Sequence, residues 1–164
     1  MGLDTLDVAL LGAMHEHPRA GALELSRELG VARATVQARL KGMEQSGVIA
    51  GHAPHIDLVA AGFGVMAFVT LQIAQGALDS ATEELLAIPG VVEAFVTTGE
   101  GDVLCRVAAG SHEGLQETLI DLNKLDVVTR STSVIALSVI VPLRSMPLLR
   151  TLDPGRGSKA PAYR

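Results

Sequence analysis

Between Val31 and Met43 the chain carries Arg33, Arg39 and Lys41 and no acidic residue, with Thr35, Gln37 and the small residues Ala34 and Ala38 among them. That mixture suits a nucleic-acid duplex. Cationic groups meet phosphates, a glutamine amide can bond adenine through two edge atoms, and alanine methyls permit close approach and contact with a thymine methyl. If the segment is a helix, Val36, Leu40 and Met43 fall at i, i+4 and i+7 and form its buried stripe. Ala34, Ala38 and Gln45 then lie opposite, with Gln37 and Lys41 on one flank and Thr35 and Arg39 on the other. On this reading Arg39 and Lys41 hold phosphates, Arg33 adds positive charge, and Gln37 with the alanines faces the bases. A solvated amphipathic helix would look the same in isolation, so the reading depends on the elements around it.

A second constellation is Gly99-Glu100-Gly101-Asp102. Glycines let backbone amides come close to a small ligand, and a carboxylate can pair with an ammonium group. A plain glycine-rich turn has the same composition. Thr132 and Ser133 are further candidate contacts, a pattern that the β-propensity of hydroxyl residues explains equally well. Other chemistry is not indicated. His15 and His17 are neighbours, and His52 and His55 are spaced i, i+3, but neither pair has thiols or carboxylates at ligand spacing, so no metal is expected. The single Cys105 reads as a packed strand residue. With no glycine-rich phosphate loop and no nucleophile motif, neither an enzyme nor a cofactor is expected.

The elements that must position these residues follow from periodicity. Leu6, Leu10 and Met14 predict a helix over 4–16 with Asp4 as N-cap. A short helix over 22–29 stops at Gly30, and the cationic helix runs from about Ala32 to Gln45. Two helices joined by a tight turn and supported by a third form a helix-turn-helix, three-helix and winged-helix-like, whose later helix enters the major groove. Residues 48–61 read as a connector with short extended pieces at 48–50 and 55–57. Beyond Gly62 the order is a strand (65–73), a helix (78–88) capped by Ser80, strands 91–98 and 102–109 around the glycine turn, a helix (111–125) and a strand (127–141). That βαββαβ order makes the fold class α+β, with a ferredoxin-like domain after the helix-turn-helix. The domains expected are 1–47, the connector 48–61, 62–142, and a C-terminal tail 143–164, disordered from about 153.

Sheet burial carries a further implication. The first strand holds Val65, Ala67, Val69, Leu71 and Ile73 in one row, yet Met66 and Phe68 in the other, and the last strand is apolar on both sides. Both faces require burial, which calls for a second sheet of the same kind in a symmetric dimer. A mean hydropathy of +0.37 agrees. The net charge of −5 confines any contact with double-stranded DNA to a local patch. No apolar run approaches the roughly 20 residues of a membrane span, and Asp4 and Asp7 stand where a signal peptide carries positive charge, so a cytoplasmic protein without membrane contact is expected.

Five segments together resemble the Lrp/AsnC (feast/famine) family from Leu3 to about Pro142. They are Leu3-Asp4-Thr5-Leu6-Asp7, Arg19, the run 40–49 from Leu40-Lys41-Gly42 to Val48-Ile49, Pro89-Gly90-Val91, and Thr98-Gly99-Glu100-Gly101-Asp102. The resemblance implies a transcription regulator whose second domain binds an amino acid or related metabolite near the turn at Thr98–Asp102, at a subunit interface. It also implies assembly into homodimers and often octamers. A ligand-independent architectural DNA-binding protein is the alternative.

Overall fold

The computed structural model describes residues 2–152, so the expected disorder from about residue 153 lies outside the described residues. The chain divides into two compact units: residues up to Pro54 together with those from Val141 onward, and His55–Ile140.

The first unit is built on three helices, α1 (Thr5–Glu16), α2 (Ala22–Leu29) and α3 (Arg33–Gln45). Asp4 is the N-cap of α1 as expected. It accepts from the Asp7 amide while Asp7 accepts from the Asp4 amide, a reciprocal capping box. Gly30 ends α2 in the left-handed conformation, φ 65°, where a side chain would be strained. The Val31 amide then closes on the Ser26 carbonyl, and α3 starts three residues after Gly30. Leu10, Ala13, Leu25, Val36 and Met43 form the core, with Leu40 and Ile49 packed against it.

The connector pairs no strand at 48–50 or 55–57. Residues 51–57 are irregular and lead into turns, where Asp57 accepts from the amides of Val59 and Ala60. Nor is the segment after residue 142 simply a tail. A short helix, α6 (Met146–Leu149), buries Met146 within the first unit, and the Met146 methyl lies 3.6 Å from where a Cβ on Gly12 of α1 would stand.

The second unit is one four-stranded antiparallel sheet in the order β2-β3-β1-β4, with β1 (Val65–Ile73), β2 (Val91–Val96), β3 (Val103–Ala109) and β4 (Val128–Ala136). Two helices, α4 (Leu78–Leu86) and α5 (His112–Lys124), complete the expected βαββαβ order. Ala67, Val69 and Leu71 of β1 join Val103, Cys105 and Val107 of β3 beneath Leu85, Leu115 and Leu122. Fully burying one such leucine contributes about 1.5–3 kcal/mol.

Three expectations need correction here. Ser80 does not cap α4, because the helix begins before it, at Leu78, and its hydroxyl donates back to the Ala77 carbonyl. Ser111, by contrast, does cap α5. The second strand stops at Val96, its last pairing with β3, and not at 98. The last strand ends at Ala136, not 141, since pairing with β1 stops at Met66↔Ala136, one residue from where β1 begins.

On the sheet face away from the helices, the register aligns Phe68 with Arg106 and Val134, and Leu104 with Phe95. Phe68, Phe95 and Val134 are 40%, 52% and 64% exposed. Arg106 and Glu93 pair across this face at 3.2 Å.

Candidate nucleic-acid interface and effector recess

The sequence of α3 sends Val36 and Met43 inward and leaves Arg33, Ala34, Thr35, Gln37, Ala38 and Lys41 exposed on the helix surface. Its N-cap, Ala32, provides no side-chain acceptor, so the first-turn amides of α3 lack the bond that serine would give. Those amides and the cations nearby add to a positive end. Among the described residues, neither Arg33 nor Lys41 is in an ion pair.

Arg39, expected to hold phosphate, differs from these two in being paired with carboxylates of the first unit. Its Nη1 donates to Asp4 Oδ2 at 2.5 Å and to Asp7 Oδ1 at 3.2 Å, and Asp7 is buried. Burial opposes ionisation of Asp4, but the Asp7 amide and the Arg39 guanidinium outweigh it and hold the carboxyl below its ordinary range. The hydrogen bond to Asp4 correspondingly raises Arg39.

In the second unit, the turn between β2 and β3 folds over the end of β1. The Asp102 amide donates to the Leu71 carbonyl at 2.9 Å, and Asp102 Oδ2 accepts from the Ile73 amide at 2.7 Å. One carboxylate oxygen of Asp102 is therefore occupied by the backbone. Gly101 is buried, and a Cβ there would overlap Thr70 Cγ2, so glycine is what lets the turn lie this close to β1. The Thr97 hydroxyl donates to the Gly101 carbonyl, whereas Thr98 and Gly99 are exposed at the tip.

A recess of about 160 Å³ opens beside this turn, lined by Thr70, Gln72, Glu100, Arg130 and Thr132. The Gln72 amide nitrogen donates to the Glu100 carbonyl at 2.9 Å. Of the residues expected from sequence, Glu100 and Thr132 line the recess. Ser133 does not: it pairs with Val69, whose side chain is in the core, and so lies on the helix-covered side of β4. Thr70, Gln72 and Arg130 were missed. They share the row of the open face that holds Thr132, as the pairs Thr70↔Thr132 and Gln72↔Arg130 place them.

Burial pushes the Cys105 thiol up to about 11, which suits a packing role. Glu16, His17 and Glu28 bring ligand-type atoms within 4.8 Å of one another, a grouping that sequence spacing did not show. All three are exposed, and Arg150 lies 3.7 Å from Glu16. Among the described residues, no helix is long and apolar enough to cross a membrane.

Comparison with known proteins finds two family domains along the chain, the second match running past Ile140 to residue 146. Residues 3–44 match the model of the AsnC-type helix-turn-helix domain, and residues 66–146 match that of the Lrp/AsnC ligand binding domain. The regulatory protein AsnC of Escherichia coli K12 is 30% identical over 154 residues, spanning 93% of this chain and 97% of that protein. The solved structure of E. coli AsnC superposes with a TM-score of 0.83 at 26% identity, covering 90% of this chain and 100% of that one. A transcriptional regulator of Neisseria meningitidis, solved as a complex with L-Met, gives a TM-score of 0.80 at 25% identity, covering 90% of this chain and 97% of that one.

Proposed function

Since the chain belongs to the Lrp/AsnC family of transcription regulators, we propose that it is a sequence-specific DNA-binding regulator, working in the cytoplasm as a homo-oligomer, whose DNA binding or assembly responds to an amino acid or a related metabolite. It is not an enzyme on this reading.

The observation that carries the proposal is the outward face of α3, where Arg33, Ala34, Thr35, Gln37, Ala38 and Lys41 are exposed together without an acidic residue among them. Gln37 and the alanines read base edges, and Arg33 and Lys41 meet phosphates. The exposed apolar row Phe68, Phe95 and Val134 supports a dimer that buries one open sheet face on another. Two recognition helices then enter major grooves roughly 34–36 Å apart, or a multiple of that spacing.

For the effector, Glu100 and Arg130 line one recess and carry opposite charges, as a zwitterion requires. Thr132, Thr70 and Gln72 supply neutral polar contacts beside them. The other turn residues, Thr98, Gly99, Gly101 and Asp102, do not line the recess and act on it through the turn that carries Glu100, which Asp102 ties to the Ile73 amide.

Gel shifts of the purified protein on its own upstream DNA, against random duplex and with a panel of amino acids, test the proposal. A specific shift altered by one amino acid, with the alteration lost in Arg130→Gln, is the expected result. A shift indifferent to the whole panel, with a footprint that spreads without sequence preference, would replace this reading with a ligand-independent architectural protein.

A further inference from the structure

The geometry points to Arg39 as a positioning residue that fixes the rotation of the recognition helix against the start of α1, and not as a phosphate contact. This inference rests on the DNA-binding reading above. Arg39 follows Gln37 by two residues and precedes Lys41 by two, so an anchor here sets the angle at which the reading residues are presented. Its guanidinium spans 35 and 32 residues of chain to Asp4 and Asp7. Both carboxylates also accept from each other's amides at 3.0 Å, so the groups that close the first turn of α1 are the ones that hold α3.

Asp7 is the reason that Arg39 is not free to leave. Its side chain is 3% exposed, and a carboxylate at that depth needs a hydrogen-bonded counter-charge. Turning Arg39 toward DNA would strand it. Two acids also face one cation here, which leaves no surplus positive potential for a phosphate. Arg33 and Lys41 therefore carry the phosphate contacts of α3.

The test measures affinity as a function of salt for the full chain, on its upstream duplex and on a random-sequence duplex. The variants are Lys41→Gln, Arg39→Gln and Asp4→Asn, each first checked as folded by circular dichroism at the assay temperature. Lys41→Gln should reduce the slope of log K against log salt by about 0.9 per lost phosphate contact. Arg39→Gln and Asp4→Asn should keep the wild-type slope and the wild-type affinity for random duplex, while losing about tenfold on the upstream duplex. Asp4→Asn keeps a capping acceptor and lies outside the reading face, so it reports on positioning even if Arg39→Gln fails to fold.

A fall in slope with Arg39→Gln that matches Lys41→Gln would overturn the assignment. So would an unchanged preference for the upstream duplex in folded Asp4→Asn, since a purely stabilising bond does not alter the specificity of folded molecules. A wild-type protein that binds neither duplex at any salt would sink the regulator reading itself, and this inference with it, an outcome distinct from both.

Discussion

In the helical unit the buried Asp7 is met by two partners, the core around Leu10, Leu25 and Met43 is closed, and the outward face of α3 is polar. In the sheet unit, by contrast, Phe68, Phe95 and Val134 face outward from a sheet covered by helices on one side only. The two are finished to different degrees. The helical unit turns the polar face of α3 outward, whereas the sheet unit leaves apolar side chains uncovered on one face of its sheet.

The severest challenge to that contrast lies inside the helical unit. Leu10→Ala removes a side chain with no exposure and should cost about 2–5 kcal/mol of stability. Because the defect is internal to one copy, the fall in melting temperature should not depend on protein concentration. The open face should behave in the opposite way. Phe68→Asp removes about 1.5 kcal/mol of apolar burial from each protomer's side of a dimer contact, so sedimentation should show the assembly weakened by about a hundredfold. Its melting temperature should then vary with concentration. An assembly unaffected by Phe68→Asp would mean that the open face is not the contact.

Two smaller substitutions refine the picture of the helical side. Ala32 caps α3 in an extended conformation, φ −64° and ψ 140°, without a side-chain bond. Ala32→Ser should therefore add about 1 kcal/mol, read by chemical denaturation.

The smallest effect is a matter of pH. Burial by itself would raise the Asp4 pKa, but the Asp7 amide and Arg39 overcome it, and the group ionises below its ordinary value. A carboxylate depressed in the folded state adds stability above its unfolded pKa, about 3.9, and that stability is lost as pH falls through the folded value. The advantage of the wild type over Asp4→Asn should thus be constant above about pH 5 and vanish progressively below about pH 4. An advantage of at most about 1 kcal/mol, typical of a partly exposed pair, is expected.

Much of this was legible in the residue order. Asp4 as cap, the Gly30 stop, the stripe Val36 and Met43 and the double apolar faces of the first strand all act over a turn of helix or a pair of strand positions, and such signals survive in a linear reading. What was missed acts across the chain. A helical wheel places Arg39 on an outer flank, but its partners stand 32 and 35 residues away, where only folding brings them.

Thr70, Gln72 and Arg130 join Thr132 through strand register. The signal was present as a change from apolar Met66 and Phe68 to polar Thr70 and Gln72 along one row. The alternation of Leu137 to Val141 suggested strand, but β1 begins at Val65, one register step beyond the pair Met66↔Ala136, and offers the residues after Leu137 no strand partner. The Ser80 cap was displaced because Leu78 and Asp79 already lie in the helix.

The return of α6 to the first unit means that the backbone passes between the units twice, near Pro54 and again near Ile140. In the vocabulary of gene fusion, the second unit is an insert with two seams and not an appendage with one. A polypeptide cut after residue 54 would keep the three helices but leave α1 without Met146. An exchange of second units between such proteins would need to restore both seams, or the helical unit would arrive with part of its own packing missing.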